Sequence, residues 1–258
     1  MNKKIGISAI GYECKEHLWK VLQPWREVRS KYPNQFFISV AHGVFPETKS
    51  LGFPIFSTDG TIEDLETCYN SGIIDSLKIL QDPAYEKDIR NVTLPFLFSK
   101  DIDYLWLLDL QDEIYTEKEI IDIISFVELE NFIPTFKINF KNYVFDSNHY
   151  VDDFIAPRIW NNKAHKGIDQ FYYDNEILFK DGLKADQLST KVIPQNIAFV
   201  KHLSWVGSKE YLNRKIEFQK KHYGQCSYIW NNEKDCLDFD LSYYKKYNIH
   251  LPKVYKDN

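Results

Sequence analysis

The chain has 258 residues, of which 44% are hydrophobic and 27% are charged, and this composition is typical of a water-soluble protein with a sizeable core. Its formal net charge of −5 argues against binding nucleic acid through a broad basic face, which needs clustered Lys and Arg, although a local basic patch stays compatible with the sequence. The four cysteines have no metal-ligand spacing, and no stretch is long enough for a signal sequence or a membrane span, so we expect a cytoplasmic protein with reduced thiols.

The first hundred residues predict alternating strands and helices. Short apolar runs have the length of buried strands, and between them the apolar residues recur with helical spacing. These patterns predict strands at 4–10, 36–40 and 104–108, and helices at 15–31, 61–80 and 88–99. The first strand–helix–strand unit is long enough for a crossover connection, which implies parallel strands and a right-handed turn.

The rest of the chain predicts a less regular arrangement. We expect helices at 117–129 and 209–222, a half-buried strand at 135–144, and short strands and loops over 145–200. Thr116 is a candidate N-cap for the first of these helices, with Glu119 in its first turn, and Gly224 ends the second. Because no repeat or linker is visible, we expect one domain over 1–258.

A buried strand runs directly into a cluster of acids. Asp109, Asp112 and Glu113 follow the apolar run at 104–108, and a helix begins shortly afterwards. Open α/β sheets bind ligands at the carboxyl ends of their strands. Carboxylates placed there are costly to desolvate, so the cluster predicts a cation or a sugar hydroxyl as their partner. A solvated helix start, where acids are also favoured, is the alternative interpretation.

Three segments resemble the GT-A fold glycosyltransferases, and more narrowly the family 2-like members. IRNVTLPFLFSKDIDYLWLLDLQDEIYT is similar to their Arg-Asn helix start and acidic metal motif, FIAPRIWNNKAHKGIDQFYYDNEI to the acceptor side, and VKHLSWVG to the late metal-binding His segment. The resemblance implies an α/β fold of the GT-A type, in which a Rossmann-like, mostly parallel sheet is flanked by helices and joined by a smaller mixed sheet region. Residues 1–115 would form the nucleotide-sugar-binding half, and residues 116–258 the acceptor-side half with C-terminal helices.

The resemblance also implies a divalent cation that bridges the two phosphates of a nucleotide sugar. We expect Asp112, Glu113 and His202 as its ligands, and Mn²⁺ or Mg²⁺ as the ion, since carboxylates suit both ions and an imidazole favours Mn²⁺. Gln111 stands where the usual Asp-x-Asp motif has its second acid. Either Asp109 with Asp112 or Asp112 with Glu113 could therefore form the metal-binding pair, and we favour Asp112 as the direct ligand.

Five residues are candidates to bind the nucleotide sugar: Tyr12, His42, Arg90, Asp109 and Arg158. Tyr12 and His42 follow the first two strands, where a ring can stack on the base and a neighbouring glycine lets the backbone approach it. No Gly-rich dinucleotide motif follows the first strand, which disfavours a dinucleotide enzyme. Arg90 and Arg158 are candidates for phosphate contacts, with ordinary surface or loop-fixing roles as the alternative.

An inverting transfer requires a carboxylate that takes a proton from the acceptor hydroxyl. Asp174 and Glu176 in FYYDNEI are the candidates, because neighbouring aromatic rings could stack on a sugar and strand alternation would place both acids on one face. Charges that keep an edge strand soluble are the alternative interpretation. Asp152 and Asp153 are weaker candidates for the base.

Together these features predict a metal-dependent and inverting glycosyltransferase. It would move a sugar from a UDP- or GDP-sugar to a glycan, a lipid or another hydroxyl compound. A nucleotidyltransferase would also use carboxylates and Mg²⁺, but GYECKEH after the first strand lacks the expected Gly-rich, basic loop. A non-catalytic nucleotide- or sugar-binding module of the same fold is the second alternative, because Gln111 replaces an acid.

Overall fold

A computed structural model describes residues 3–174 and 176–256 and shows a curled, mostly parallel sheet flanked by helices, with two small antiparallel sheets. The strands are β1 (Ile5–Gly11), β2 (Phe36–His42), β3 (Ser76–Ile79), β4 (Tyr104–Asp109), β5 (Glu113–Ile114), β6 (Thr135–Val144), β7 (His149–Asn161), β8 (Ile168–Tyr173), β9 (Glu176–Phe179), β10 (Thr190–Val192), β11 (Val200–Trp205), β12 (Tyr228–Asn231), β13 (Cys236–Phe239) and β14 (Tyr255–Lys256). The helices are α1 (Lys15–Lys31), α2 (Pro46–Ser50), α3 (Thr61–Asn70), α4 (Glu86–Asn91), α5 (Leu94–Ser99), α6 (Glu117–Leu129), α7 (Lys209–Tyr223) and α8 (Leu241–Tyr247). This confirms the predicted α/β fold class. Among the described residues, no helix has both the length and the apolar character needed to cross a membrane.

The order of strands in the main sheet is β3-β2-β1-β4-β7-β6-β11-β5. The first four strands pair in parallel, so their carboxyl ends lie at one edge. β7 then pairs antiparallel with β4 and β6, and β5 pairs antiparallel with β11. The three residues at 110–112 connect β4 to β5, although three strands lie between them in the sheet order. Because so few residues reach only a short distance, the sheet must curl until these strands come close together.

The main apolar core lies between the sheet and the helices α1 and α6. The side chains that α1 buries recur with helical spacing: Leu18, Val21, Leu22, Trp25 and Val28. The Trp25 ring packs edge-to-face against Trp106 of β4, with 4.9 Å between ring centroids, and against Tyr115 at 5.9 Å. Trp106 and Tyr115 also contact each other at 5.3 Å. This aromatic cluster therefore fixes β4 relative to the segment that directly follows Glu113.

Two smaller apolar clusters attach the remaining elements. Leu105 and Leu107 point to the opposite face of β4 from Trp106, and there they pack with α5 and the β8–β9 hairpin. A third cluster joins α7 to the β12–β13 hairpin through Leu212 and Tyr228. The β8–β9 hairpin thus packs on the face of the sheet that Leu105 and Leu107 line, and α7 packs against the separate β12–β13 hairpin.

Several predicted elements lie where the sequence indicated, and two helix predictions need correction. The helices over 15–31 and 117–129 and the strand over 135–144 are confirmed as α1, α6 and β6. The helix predicted over 61–80 is wrong beyond Asn70, because Gly72 has a φ of +74°, a conformation that ends helices, and the chain then enters β3. The helix predicted over 88–99 is two short helices, since Pro95 starts α5 and cannot continue α4.

The region predicted as short strands and loops over 145–200 contains one long strand. β7 has 13 residues and pairs with both β4 and β6. Pro157 lies inside it, at a register shift in the pairing with β6, which is one of the few places where a sheet tolerates proline. The single-domain organisation predicted for 1–258 stays a prediction.

The start of α6 holds the end of the acidic segment in place. Thr116 and Glu119 form a capping box, in which Glu119 N–H donates to the Thr116 hydroxyl at 3.2 Å and Thr116 N–H donates to the Glu119 carboxylate at 2.7 Å. We expect Thr116→Ala to lower the free energy of unfolding by about 1 kcal/mol in urea denaturation.

Ser125→Ala is the matched control, because this hydroxyl lies on the exposed side of the same helix and bonds only to the carbonyl of Ile121. We expect this control to change the free energy of unfolding by less than about 0.5 kcal/mol. Equal losses in the two variants would contradict a special role for the cap.

Candidate functional site

A cleft of about 280 Å³ opens at the carboxyl ends of β1, β2 and β4. Open α/β sheets bind ligands at this edge. One wall belongs to the sheet and its loops, and helix α7 supplies the opposite wall. The residues used below are Tyr12, Glu13, Glu86, Asp109 and Gln111 on the first wall and Tyr211, Arg214 and Lys215 on the second.

Two buried arginines hold Asp109 at the end of β4. Arg90 Nη2 donates to Oδ1 of Asp109 at 2.6 Å, and Arg158 Nη2 lies 3.5 Å from Oδ2. Arg90 also donates from Nε and Nη2 to Glu86 Oε1, at 2.8 and 2.6 Å. Burial disfavours the charge on Asp109, but the two guanidinium groups outweigh it and lower the pKa of this carboxyl. Asp109 is therefore ionised and fixed in orientation at the cleft.

The two arginines themselves lie behind Asp109. Their side chains are almost completely buried, and each guanidinium is paired with two carboxylates, although Nη1 of Arg90 has no hydrogen-bond partner among the described residues. Their contacts therefore indicate that they position Asp109. Direct binding of the donor by Arg90 or Arg158 stays a prediction.

Glu113 is fully buried and paired with Arg158. Arg158 donates from Nε to Oε1 of Glu113 at 2.9 Å and makes a second hydrogen bond from Nη2 to the same oxygen. The other oxygen of Glu113 accepts the backbone N–H of Asp109 at 3.3 Å. The Arg158 guanidinium also lies 4.7 Å from the centre of the Phe140 ring. Metal binding by Glu113 stays a prediction, and it would require this carboxylate to leave Arg158.

Asp112 contacts a different set of partners. Its Oδ1 lies 3.3 Å from His202 Nε2, and its Oδ2 lies 3.7 Å from Lys215 Nζ. The antiparallel pairing of β5 with β11 creates this contact, and the N–H of Leu203 donates to the Asp112 carbonyl at 2.9 Å. The structure therefore brings Asp112 and His202 together, as the predicted metal site requires.

One further contact and the mutual effect on the pKa values describe the state of this pair. The second ring nitrogen of His202, Nδ1, is 2.5 Å from Asn142 Oδ1, a contact that orients the imidazole and leaves Nε2 toward Asp112. Burial disfavours the charged forms of Asp112 and His202, but the carboxylate stabilises the protonated imidazole and the protonated imidazole stabilises the carboxylate. The pKa of His202 is therefore raised, and His202 with Lys215 holds the pKa of Asp112 well below its usual range.

The donor set of Asp112 and His202 fits a divalent cation whose other ligands come from elsewhere. Mg²⁺ and Mn²⁺ commonly keep water molecules and bind substrate phosphates in addition to one or two protein groups. Among residues 3–174 and 176–256, the side chains of His, Cys, Asp and Glu form no group of three that could hold a metal. A metal here would therefore be held jointly by this pair and a bound phosphate.

Tyr12 and His42 lie together at one end of the cleft. Their ring centroids are 5.8 Å apart, and Tyr12 donates its hydroxyl to the carbonyl of Pro54 at 2.7 Å. His42 is buried beside the cleft, and burial lowers its pKa to about 4, so its ring is neutral at pH 7. Gln111 Nε2 donates to the Tyr12 carbonyl at 2.6 Å. Gln111 thus connects the loop after β4 to the loop after β1.

The prediction that Asp174 and Glu176 share one face of a strand is wrong. The chain reverses here: Asp174 lies in the turn between β8 and β9, and Glu176 is the first residue of β9. Burial raises the pKa of Glu86 in the cleft wall, and the charge of Asp174 adds to this, whereas Glu176 interacts with Asp186. Of the two acids, Asp174 is the one whose charge acts on a residue of the cleft wall. The side chains at 152–153 are not among those that the structure describes.

Two cations of α7 complete the cleft, and sequence reasoning missed them. Arg214 pairs with Glu13, and Lys215 donates to Ser204 Oγ at 2.6 Å beside Asp112. Adjacent basic residues on a polar helix usually indicate only a solvated face. The one signal of their role is the position of α7 over the cleft, which the sequence pattern does not give.

The same chain fold occurs in TarS of S. aureus, a glycosyltransferase. The TarS 1-349 structure matches with a TM-score of 0.50 and 13% identity, over 86% of this chain and 72% of that one. A second TarS structure gives 0.51 and 14%, over 84% and 38%, and the TarS 1-349 complex with UDP gives 0.51 and 15%, over 84% and 65%. This chain therefore shares its fold with TarS.

At this level of identity, the likeness establishes the fold. No protein-family model matches the sequence, and no curated protein matches it. The GT-A-like fold expected from the sequence is therefore confirmed, and the narrower assignment to the family 2-like members stays a prediction.

Substitutions that break the ion pair of Arg158 and Glu113 test how much this pair stabilises the folded protein. Removing one partner of a buried ion pair leaves the other charge uncompensated, so we expect Arg158→Met to lower the free energy of unfolding by about 3 kcal/mol or more. Adding Glu113→Gln to this variant removes the stranded charge and should recover part of the loss. Urea denaturation of the two single variants and the double variant measures this coupling. A double variant less stable than Arg158→Met alone would contradict the assignment.

Proposed function

We propose that this protein is a glycosyltransferase that uses a nucleotide sugar as its donor. The observation that carries this proposal is the cleft at the carboxyl ends of β1 and β4, where Asp109 and Gln111 meet a wall bearing two cations. A glycosyltransferase fold of the same type, represented by a complex with UDP, supports it.

The end of the cleft at Tyr12 suits the nucleoside. Its ring lines the cleft and can stack on a base, while the neutral His42 supports it from behind. Two arginines compensate the charge of Asp109 and fix its orientation. Its carboxylate lines the cleft, where it can accept hydrogen bonds from hydroxyl groups of the ribose or the donor sugar.

We assign Asp112 and His202 as the residues that would hold Mn²⁺ or Mg²⁺. Their 3.3 Å separation and the orientation of the imidazole by Asn142 support this assignment. When bound, the ion would supply Lewis-acid stabilisation of the charge that develops on the leaving diphosphate. Glu113 would act indirectly, because its hydrogen bonds fix the Arg158 guanidinium and the backbone of Asp109.

Asp174 is the proposed base of an inverting transfer. It lies in the turn between β8 and β9, and its charge acts on Glu86 of the cleft wall, so we expect an acceptor to enter from this side with its hydroxyl near this carboxylate. The acceptor class we propose is a hydroxyl compound such as a glycan or a lipid-linked sugar.

A panel of nucleotide sugars tests the proposed activity. We expect the protein to hydrolyse or transfer from at least one UDP- or GDP-sugar in the presence of Mn²⁺, to release a nucleoside diphosphate, and to lose this activity with a chelator. Asp112→Asn should lose the metal-dependent part. His149→Ala, which changes a partly exposed histidine paired with Asp146, should retain full activity.

The products distinguish the alternatives. Release of inorganic pyrophosphate from a nucleoside triphosphate would indicate a nucleotidyltransferase. Metal-dependent nucleotide binding without turnover would indicate a binding module of this fold. Either result would replace the proposed activity, and activity in the presence of a chelator would overturn the metal assignment alone.

Asp174→Asn tests the base. We expect it to lower kcat by about 10²-fold or more because the acceptor hydroxyl loses its proton acceptor, while the affinity for UDP is unchanged. Steady-state kinetics and calorimetry measure the two quantities. Glu176→Gln is the matched comparison on the same hairpin, and a loss confined to that variant would assign the base to Glu176 instead.

A further inference from the structure

The wall of the cleft formed by α7 carries two adjacent cations, each of which is paired with an acid from another segment. Arg214 and Lys215 are consecutive on this helix, and both line the cleft. Their side chains keep 39% and 22% of their surface exposed, so a ligand can reach them from the cleft. The helix start that positions them is capped by Ser208, whose hydroxyl accepts the Tyr211 N–H at 3.3 Å.

Each cation is paired with a carboxylate of another segment. Arg214 Nη1 donates to Glu13, and its Nη2 lies 4.0 Å from Asp59 Oδ2. Lys215 Nζ lies 3.7 Å from Asp112 Oδ2 and donates to Ser204 Oγ at 2.6 Å. Without a ligand, these contacts join α7 to the loops that follow β1 and β4.

The carboxylates have a second set of partners on their own side. Glu13 accepts the N–H of Thr58 at 2.6 Å and its hydroxyl at 3.2 Å. Asp59 accepts the N–H and hydroxyl of Thr61 at 3.0 and 2.6 Å. Asp112 has His202. Departure of the α7 cations would therefore leave none of the three carboxylates without a partner.

The pair of Arg214 and Glu13 is partly open to water and contributes little to stability, so exchanging it for a stronger anion costs little. Asp112 is buried, and His202 stays beside it to compensate its charge when Lys215 turns to a phosphate. A diphosphate carries more charge than a carboxylate and offers several oxygens. Arg214 can bind two phosphate oxygens at once with its planar group, and Lys215 can act as a compact charge. The cleft between the two walls is the space in which such an anion would lie.

We propose that Arg214 and Lys215 bind the diphosphate of the donor by exchanging Glu13 and Asp112 for phosphate oxygens. This inference rests on the proposed function and adds two catalytic residues to it. In the transfer, the bond from the anomeric carbon to the diphosphate oxygen breaks, and its electron pair goes to the diphosphate. The acceptor oxygen forms the new bond to that carbon, and its proton goes to Asp174. The two cations stabilise the charge that accumulates on the leaving group.

The affinities of three probes separate this role from a structural one. We expect Arg214→Gln and Lys215→Met each to weaken binding of UDP and of inorganic pyrophosphate by about tenfold or more, measured by calorimetry in the presence of a chelator. Binding of uridine, which has no phosphate, should be unchanged when followed by ligand-observed NMR. Arg214→Lys should recover part of the UDP affinity, because it restores the charge.

Lys209→Met is the matched control on the same helix. Lys209 pairs with Asp235 and lies over the Trp230 ring, away from the residues that line the cleft. We expect this variant to bind all three probes like the unmodified protein. The urea midpoints of all variants identify any general loss of folding.

The outcomes distinguish the inference from the proposed function. Unchanged UDP and pyrophosphate affinity in both α7 variants would overturn the inference alone, as would an equal loss of uridine affinity. A protein that binds pyrophosphate through these cations but turns over no nucleotide sugar would overturn the glycosyltransferase assignment and support the diphosphate site. A protein that binds neither UDP nor pyrophosphate would overturn both.

Discussion

A buried ion-pair network of Glu86, Arg90, Asp109, Glu113 and Arg158 is the constraint on which the site depends. Its members come from α4, β4, β5 and β7, so it connects elements that are distant in the chain. Charges buried in this way are tolerated only when each has partners of good geometry. The network therefore requires the sheet to curl and the short connection between β4 and β5 to adopt one conformation.

The network also divides the acids of this region into two groups. Asp109 and Glu113 are compensated from inside the protein by arginines, whereas Asp112 is directed to His202 and Lys215. Residues 110–112 form a turn between β4 and β5, and this turn directs Asp112 to β11 while Asp109 and Glu113 stay beside Arg158. Asp109 and Glu113 are held rigidly by the arginines, whereas Asp112 has partners that a bound ion or phosphate can replace. The proposed transfer would use both properties, because charge on its leaving group must be stabilised by groups that are already in position.

The sequence predicted the parts of the structure that local patterns determine. The spacing of apolar residues from Leu18 to Val28 indicated α1. The contact of Asp112 with His202 was expected only from the resemblance to the GT-A glycosyltransferases, because no local pattern joins residues so far apart in the chain. The sequence patterns failed where contacts between residues distant in the chain determine the structure. The hairpin that separates Asp174 from Glu176 is held by packing on the far face of the sheet, and apolar alternation alone does not show where a strand reverses. The cations of α7 face the cleft because of a cluster that joins this helix to the β12–β13 hairpin.

Gln111 lies where the related motif has an acid, and its amide makes a hydrogen bond that an acid cannot. An ionised aspartate offers only acceptors, so it would face the Tyr12 carbonyl with repulsion instead of the 2.6 Å contact. The amide thus couples the loop around the proposed base-stacking ring to the loop that carries Asp112. In the proposed donor pocket, a movement of the loop at Tyr12 would therefore shift the loop that carries Asp112, so that this single neutral side chain couples the proposed nucleoside and phosphate ends.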